Sequence, residues 1–151
     1  MKKLAFAAMI AAVLGLFALG SAGAEDFQVR MLNRGAQGAM VFEPAFLQID
    51  PGDSVTFLPT NPGHNAETIP GMLPRGASAF RGAISQAVTV TFAHAGVYGV
   101  RCSPHYVAGQ VALIEVGDGA AVNGAEASAV RHPGLARTRM SALFAQMGDA
   151  N

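Results

Sequence analysis

From Asp26 to Val116 apolar side chains recur at every second residue in short runs, and few folds accept that period. Phe27, Val29 and Met31 alternate with polar neighbours, and Met40 and Phe42, Leu47 and Ile49, and Val55 and Phe57 repeat the pattern. It continues through Val88, Val90 and Phe92, then Tyr98, Val100 and Cys102, then Val111, Leu113 and Glu115. Residues two apart on a strand share a face, so each run describes a strand with one side turned to a core. Turn formers separate the runs. The clearest is Pro51-Gly52-Asp53, where proline presets φ at the second turn position and glycine accepts positive φ at the third. Short strands so punctuated predict an antiparallel β-sandwich.

After Gly117 the alternation stops and the chain becomes alanine-rich. Met140, Leu143, Phe144 and Met147 fall at i, i+3, i+4 and i+7, one face of a helix that Gly148 can end, and that face should lie against the sandwich. Residues 118–130 read as a weaker helix, because Gly119 and Gly124 lower its propensity. Pro133 and Gly134 mark the break between the two.

The first 24 residues run from Lys2 and Lys3 through an apolar stretch, Leu4 to Leu19, to small residues at Ala22 and Ala24. That order reads as a secretory signal peptide with Glu25 as the mature N-terminus, and the apolar run is short for a membrane anchor. The division expected is a leader over 1–24, a sandwich over 25–118 and a helical extension over 119–151. Both lysines belong to the leader, so eight arginines face all ten acidic residues in the remainder, a net charge of −2 that gives no field for nucleic acid. Export also sharpens the meaning of the single cysteine, Cys102, which has no partner for an intrachain disulfide. A buried inert thiol and an intermolecular disulfide are the ordinary explanations; the neighbours of Cys102 suggest another.

Tyr98-Gly-Val-Arg-Cys102-Ser-Pro-His105-Tyr106 ends one strand and opens a loop, which puts Cys102 and His105 at one end of the sandwich. A third donor stands in Pro62-Gly63-His64-Asn65, where Gly63 lets the backbone swing His64 inward. Two imidazoles and a thiolate suit a type 1 copper ion, since the thiolate favours Cu(I) and imidazole serves both oxidation states. Zinc accepts the same donors, but a hydrolytic zinc site also needs a nearby acid or base, and the loop offers no carboxylate.

The segments GAMVFEP (38–44), PGHNAETI (62–69), GVYGVRCSPHY (96–106) and VGD (116–118) resemble the pseudoazurins, bacterial periplasmic members of the cupredoxin family of type 1 (blue) copper proteins. The resemblance spans the mature chain, including the two C-terminal helices. It implies an eight-stranded Greek-key β-sandwich and one copper ion cycling between Cu(I) and Cu(II) on His64, Cys102 and His105. Asn65 is implied as the residue tying the first ligand loop to the cysteine loop. It also implies a monomeric periplasmic electron carrier rather than an enzyme, serving redox proteins such as a copper nitrite reductase or a cytochrome c.

One departure matters. The family's axial methionine lies eight residues after the cysteine, and here that position is Gln110. An amide oxygen is a harder donor than a thioether and prefers Cu(II), so the reduction potential should lie below that of methionine relatives. The alternatives are that Gln110 points away or that Met40 or Met72 reaches in, although both methionines align with family positions that do not bind copper. His94 and His132 read as surface residues. In the resemblance, partners dock on an apolar patch, here Met40, Pro62, Pro104, Val107 and Ala108, ringed by basic residues, here Arg34, Arg81 and Arg101. Such a ring should steer association in a salt-sensitive way. Two other uses of the same residues compete with electron transfer: copper storage or delivery, and hydrolysis with Cys102 as nucleophile.

Overall fold

The computed structural model describes residues 23–150; the leader expected over 1–24 lies almost wholly outside them. Eight strands form two four-stranded sheets. They are β1 (Asp26–Gly35), β2 (Gly38–Glu43), β3 (Phe46–Ile49), β4 (Ser54–Pro59), β5 (Glu67–Thr68), β6 (Val88–Thr91), β7 (Gly96–Arg101) and β8 (Val111–Val116). One sheet runs β2-β1-β4-β6 and the other β3-β8-β7-β5. The sheets are mixed rather than antiparallel as expected, for β1 pairs with β4 and β3 with β8 in parallel. Side-chain alternation has the same period in either direction, and the parallel pairs arise where the chain crosses between sheets.

The expected faces meet in the core. Val29, Met31, Phe42, Val55, Phe57, Phe92, Val100, Cys102 and Ile114 pack between the sheets. Fully burying a side chain of the size of Phe57 contributes about 1.5–3 kcal/mol. The turn at Asp50–Asp53 closes as read, with Gly52 at φ +102° and the Asp53 N–H donating to the Asp50 carbonyl at 3.1 Å.

Strand β8 is buried at every residue because the two α-helices of the described residues cover its second face. Helix α2 (Gly134–Ala150) lays Met140, Leu143 and Met147 over Ile69, Met72, Val111 and Leu113, with Phe144 at the margin. It runs through Gly148 instead of stopping there, since glycine costs a helix about 1 kcal/mol without forbidding it. No described helix is long and apolar enough to cross a membrane.

Helix α1 (Gly119–Ser128) forms despite its glycines and loses helical geometry at Asn123 (φ −146°, ψ 19°). The Asn123 side chain behaves there like a neighbouring strand. Its Oδ1 accepts the Val97 N–H at 2.7 Å and its Nδ2 donates to the Val97 carbonyl at 3.0 Å. Short β5 pairs only with Val100 and Arg101 of β7, so Val97 lies beyond its reach and the asparagine completes the edge. Asn123→Ala leaves a buried N–H and a buried C=O unpaired and should cost about 2–4 kcal/mol, read as a lower urea midpoint at unchanged slope.

Candidate metal centre

Four side chains from three segments converge at one end of the sandwich. His64 follows Gly63, which takes φ +91°, in the loop after β4. Cys102 caps a single 3₁₀ turn (Ser103–His105) after β7, His105 is its last residue, and Gln110 immediately precedes β8. The two imidazole Nδ1 atoms lie 3.1 Å apart, with Cys102 Sγ 3.8 Å from that of His64 and 3.5 Å from that of His105. Gln110 Oε1 lies 2.8 Å and 3.2 Å from the same two nitrogens. His64, Cys102 and Gln110 are buried and His105 is half-buried.

The donors are aimed by what their other atoms touch. His64 Nε2 meets Asn33 Oδ1 at 2.8 Å, so a proton on Nε2 leaves the Nδ1 lone pair facing the centre. Gln110 Nε2 donates to the Val41 carbonyl at 3.0 Å, which turns the amide oxygen inward. Asn65 Oδ1 accepts the Ser103 N–H at 2.7 Å, and its Nδ2 donates to the Gly82 carbonyl at 3.1 Å. The backbone N–H groups of Asn65 and His105 point at Cys102 Sγ and favour the thiolate.

The set fits a copper ion. Metal bonds of about 2.0 Å to nitrogen and 2.3 Å to sulfur, spread in a plane, separate such donors by about 3.5–3.7 Å. The spacings found, 3.1, 3.5 and 3.8 Å, bracket that range. Of the methionines, Met72 is buried beneath the helices, and Met40 is half-exposed on β2.

Residues 29–117 match the family of copper binding proteins of the plastocyanin/azurin type. The chain is 46% identical over 145 residues to a pseudoazurin of Methylorubrum extorquens, covering 94% of this chain and 97% of that one. It is 45% identical over 141 residues to a pseudoazurin of Paracoccus pantotrophus, covering 93% and 95%. The crystal structure of pseudoazurin from Methylobacterium extorquens superposes with a TM-score of 0.78 at 48% identity, over 81% of this chain and 98% of that one. The chain belongs to the pseudoazurins.

Pseudoazurins are copper electron-transfer proteins, and around the candidate centre of this one the polar groups are more interlocked than the alternation of its strands suggests. Asn33 gives no signal in sequence beyond being a polar residue on β1. Glu67 was also missed. Its carboxylate is buried, with Oε1 accepting from Arg101 at 2.8 Å, Oε2 pairing with Arg81 at 3.1 Å, and Asn65 Nδ2 at 3.4 Å. Two of the three expected ring cations are therefore paired to one anion, and Arg34 stands exposed on the other sheet.

His94 is exposed as expected, but His132 is half-buried, its Nδ1 2.7 Å from the hydroxyl of Tyr106, the residue after His105. Arg101 lies over the Tyr106 ring, its guanidinium carbon 5.1 Å from the centroid. Leu135 and Ile84 are exposed apolar residues not anticipated in the patch. The Leu135 N–H donates to the Val107 carbonyl at 3.0 Å, and Ile84 precedes Ser85, whose N–H donates to the His64 carbonyl at 2.8 Å.

Burial lowers the His64 pKa below the ordinary 6.5, with the Gln110 bond opposing and His105 reinforcing, and burial alone lowers His132. Burial raises the Cys102 thiol above 9.0, with the Asn65 and His105 N–H groups opposing it and Glu67 reinforcing it. Without metal, the unfolded chain takes up protons that the native state refuses as pH falls through 6.5, so stability is lost downward from there. The thiol has the opposite sign, and stability falls again as pH rises past 9.0. Urea midpoints of the metal-free protein against pH should show both declines.

Glu67→Gln should cost about 1–3 kcal/mol, tempered by the water that still reaches both arginines. It should also steepen the salt dependence of association with a redox partner, measured by stopped flow, because two cations are released.

Proposed function

We propose that this chain is an exported, monomeric electron carrier of the periplasm, whose copper ion is held by His64, Cys102 and His105 with Gln110 as fourth, axial donor. The observation that carries this reading is the convergence of both Nδ1 atoms, Sγ and the amide Oε1, within 3.8 Å along every measured edge. Copper, when bound, supplies a one-electron Cu(I)/Cu(II) couple. The leader composition of residues 1–24 supports export, and all four donors come from one chain.

The residues divide the work. His64, Cys102 and Gln110 are buried, which keeps water and substrates from the centre. Their fixed surroundings hold one geometry for both oxidation states, so little reorganisation accompanies electron exchange. His105 is the half-buried ligand, and its ring gives the short path to the surface. Exposed Pro62, Pro104, Val107 and Ala108 and half-exposed Met40 supply the apolar docking patch around it, with Arg34, Arg81 and Arg101 at the rim. Neutralisation of Arg81 and Arg101 by Glu67 makes the steering weaker than three free cations would give. A copper nitrite reductase or a cytochrome c is a partner of the right kind: a redox protein able to bring its own centre close to such a patch.

Reconstitution with Cu(II) should give an intense thiolate-to-copper band, abolished in Cys102→Ser with the fold retained. Gln110→Met should raise the reduction potential, because a thioether favours Cu(I) more than an amide oxygen does. An intense band with no change of potential would remove Gln110 from the ligand set. A weakly held ion passed rapidly to metal-free acceptors would replace the carrier with a copper-delivery protein.

A further inference from the structure

Arg139 of helix α2 spends its guanidinium on the backbone of two other segments. Nη1 donates to the Met40 carbonyl at 2.7 Å and to the Gly109 carbonyl at 3.0 Å, and Nη2 donates to the Ala39 carbonyl at 2.9 Å. These are the segments whose spacing decides where the amide of Gln110 lies. Gly109 immediately precedes Gln110, and Val41, next after Met40, accepts the Gln110 Nε2–H at 3.0 Å. Arg139 and Gln110 thus form two rungs across the same gap, one outside the centre and one at its wall.

The packing around the outer rung is close. A Cβ added to Gly109, which sits at φ +93°, would stand 2.9 Å from Arg139 Cδ and 3.2 Å from its Nε. Met40 holds φ +51°, a left-handed conformation that a non-glycine residue keeps only when its surroundings impose it, and its own carbonyl takes the shortest of the three bonds. The planar fork of arginine is what lets one side chain reach three carbonyls on two segments; a lysine ammonium is a point donor on a flexible stem.

We propose that Arg139 is a positioning residue for the copper centre: by clamping residues 39 and 40 to residue 109 it sets how closely Gln110 Oε1 approaches the other donors, and through that the reduction potential. This rests on the reading of Gln110 as the axial donor. A weaker clamp lets the amide oxygen withdraw, which weakens a donor that favours Cu(II) and moves the potential upward.

The test is a double-mutant cycle on the copper-loaded protein, with Arg139→Ala and Arg139→Lys each made alone and combined with Gln110→Leu. Potential and Cu(II) EPR spectrum are read on the loaded protein, and exchange of the Gln110 side-chain amide protons is followed by NMR on the metal-free protein. Expected are an upward shift of potential in Arg139→Ala, a smaller one in Arg139→Lys, and no further shift when Arg139→Ala is added to Gln110→Leu. Amide exchange in metal-free Arg139→Ala should quicken by about five- to tenfold, the loss of roughly one hydrogen bond's protection. If Gln110→Leu moves the potential and Arg139→Ala moves neither potential nor amide exchange, the clamp is overturned while the axial donor stands. Equal shifts from Arg139→Ala with and without Gln110 would overturn it too, since the arginine would then act by another route. If Gln110→Leu leaves the potential unchanged, the axial reading fails and the proposal falls with it. Should Arg139→Ala fail to fold, Arg139→Gln takes its place in the same comparisons.

Discussion

The copper end of this molecule depends on keeping the imidazole of His64, a thiol and an amide out of water without leaving their polar atoms unpaired. Burying a polar group with no partner costs about 2–7 kcal/mol. The solution is to tie the buried groups from behind. His64 is held at Nε2 by Asn33, Gln110 at Nε2 by the Val41 carbonyl, and the Cys102 loop at the Ser103 N–H by Asn65. The atoms left over, two Nδ1, one Sγ and one Oε1, then face a common point. Among the described residues no buried side-chain nitrogen or oxygen lacks a hydrogen-bond partner. The geometry is therefore set by the protein's own bonds, which is the condition for a site that changes charge without changing shape.

The sandwich supplies the rigidity that this arrangement needs. Cys102 immediately follows β7 and belongs to the same core as Phe42, Phe57 and Phe92. Burial of β8 on both faces fixes Gln110 at the point where that strand begins. The helices complete this second face, so the C-terminal extension is part of the site's support and not an appendage beside it.

Seven of the strands and the face of α2 were legible in sequence because their larger apolar side chains recur on one face, a period that survives even in β7 and β8, where the other face is covered as well. Strand β5 was not, because Glu67 and Thr68 are two buried polar residues held by pairing with β7 and by ion pairs. The sheet directions were not, since alternation carries no sign of polarity. His64, Cys102, His105 and Gln110 could be picked out by donor chemistry and by resemblance. Asn33, Glu67 and His132 could not, because a polar residue on a strand or loop reads as solvent-facing until tertiary structure supplies a partner from a distant segment. Arg81 and Arg101 were read as free charges for the same reason.

Glu67 links the electrostatics of the surface to those of the centre. Its charge opposes formation of the Cys102 thiolate, yet the same charge favours the more positive oxidised state of a bound copper ion over the reduced one. The amide oxygen of Gln110, as the proposed axial donor, would push in the same direction, towards Cu(II). Arg81 and Arg101, paired to the same carboxylate at 3.1 and 2.8 Å, oppose both. With either arginine removed, the buried anion would be less compensated and a bound copper ion more readily oxidised.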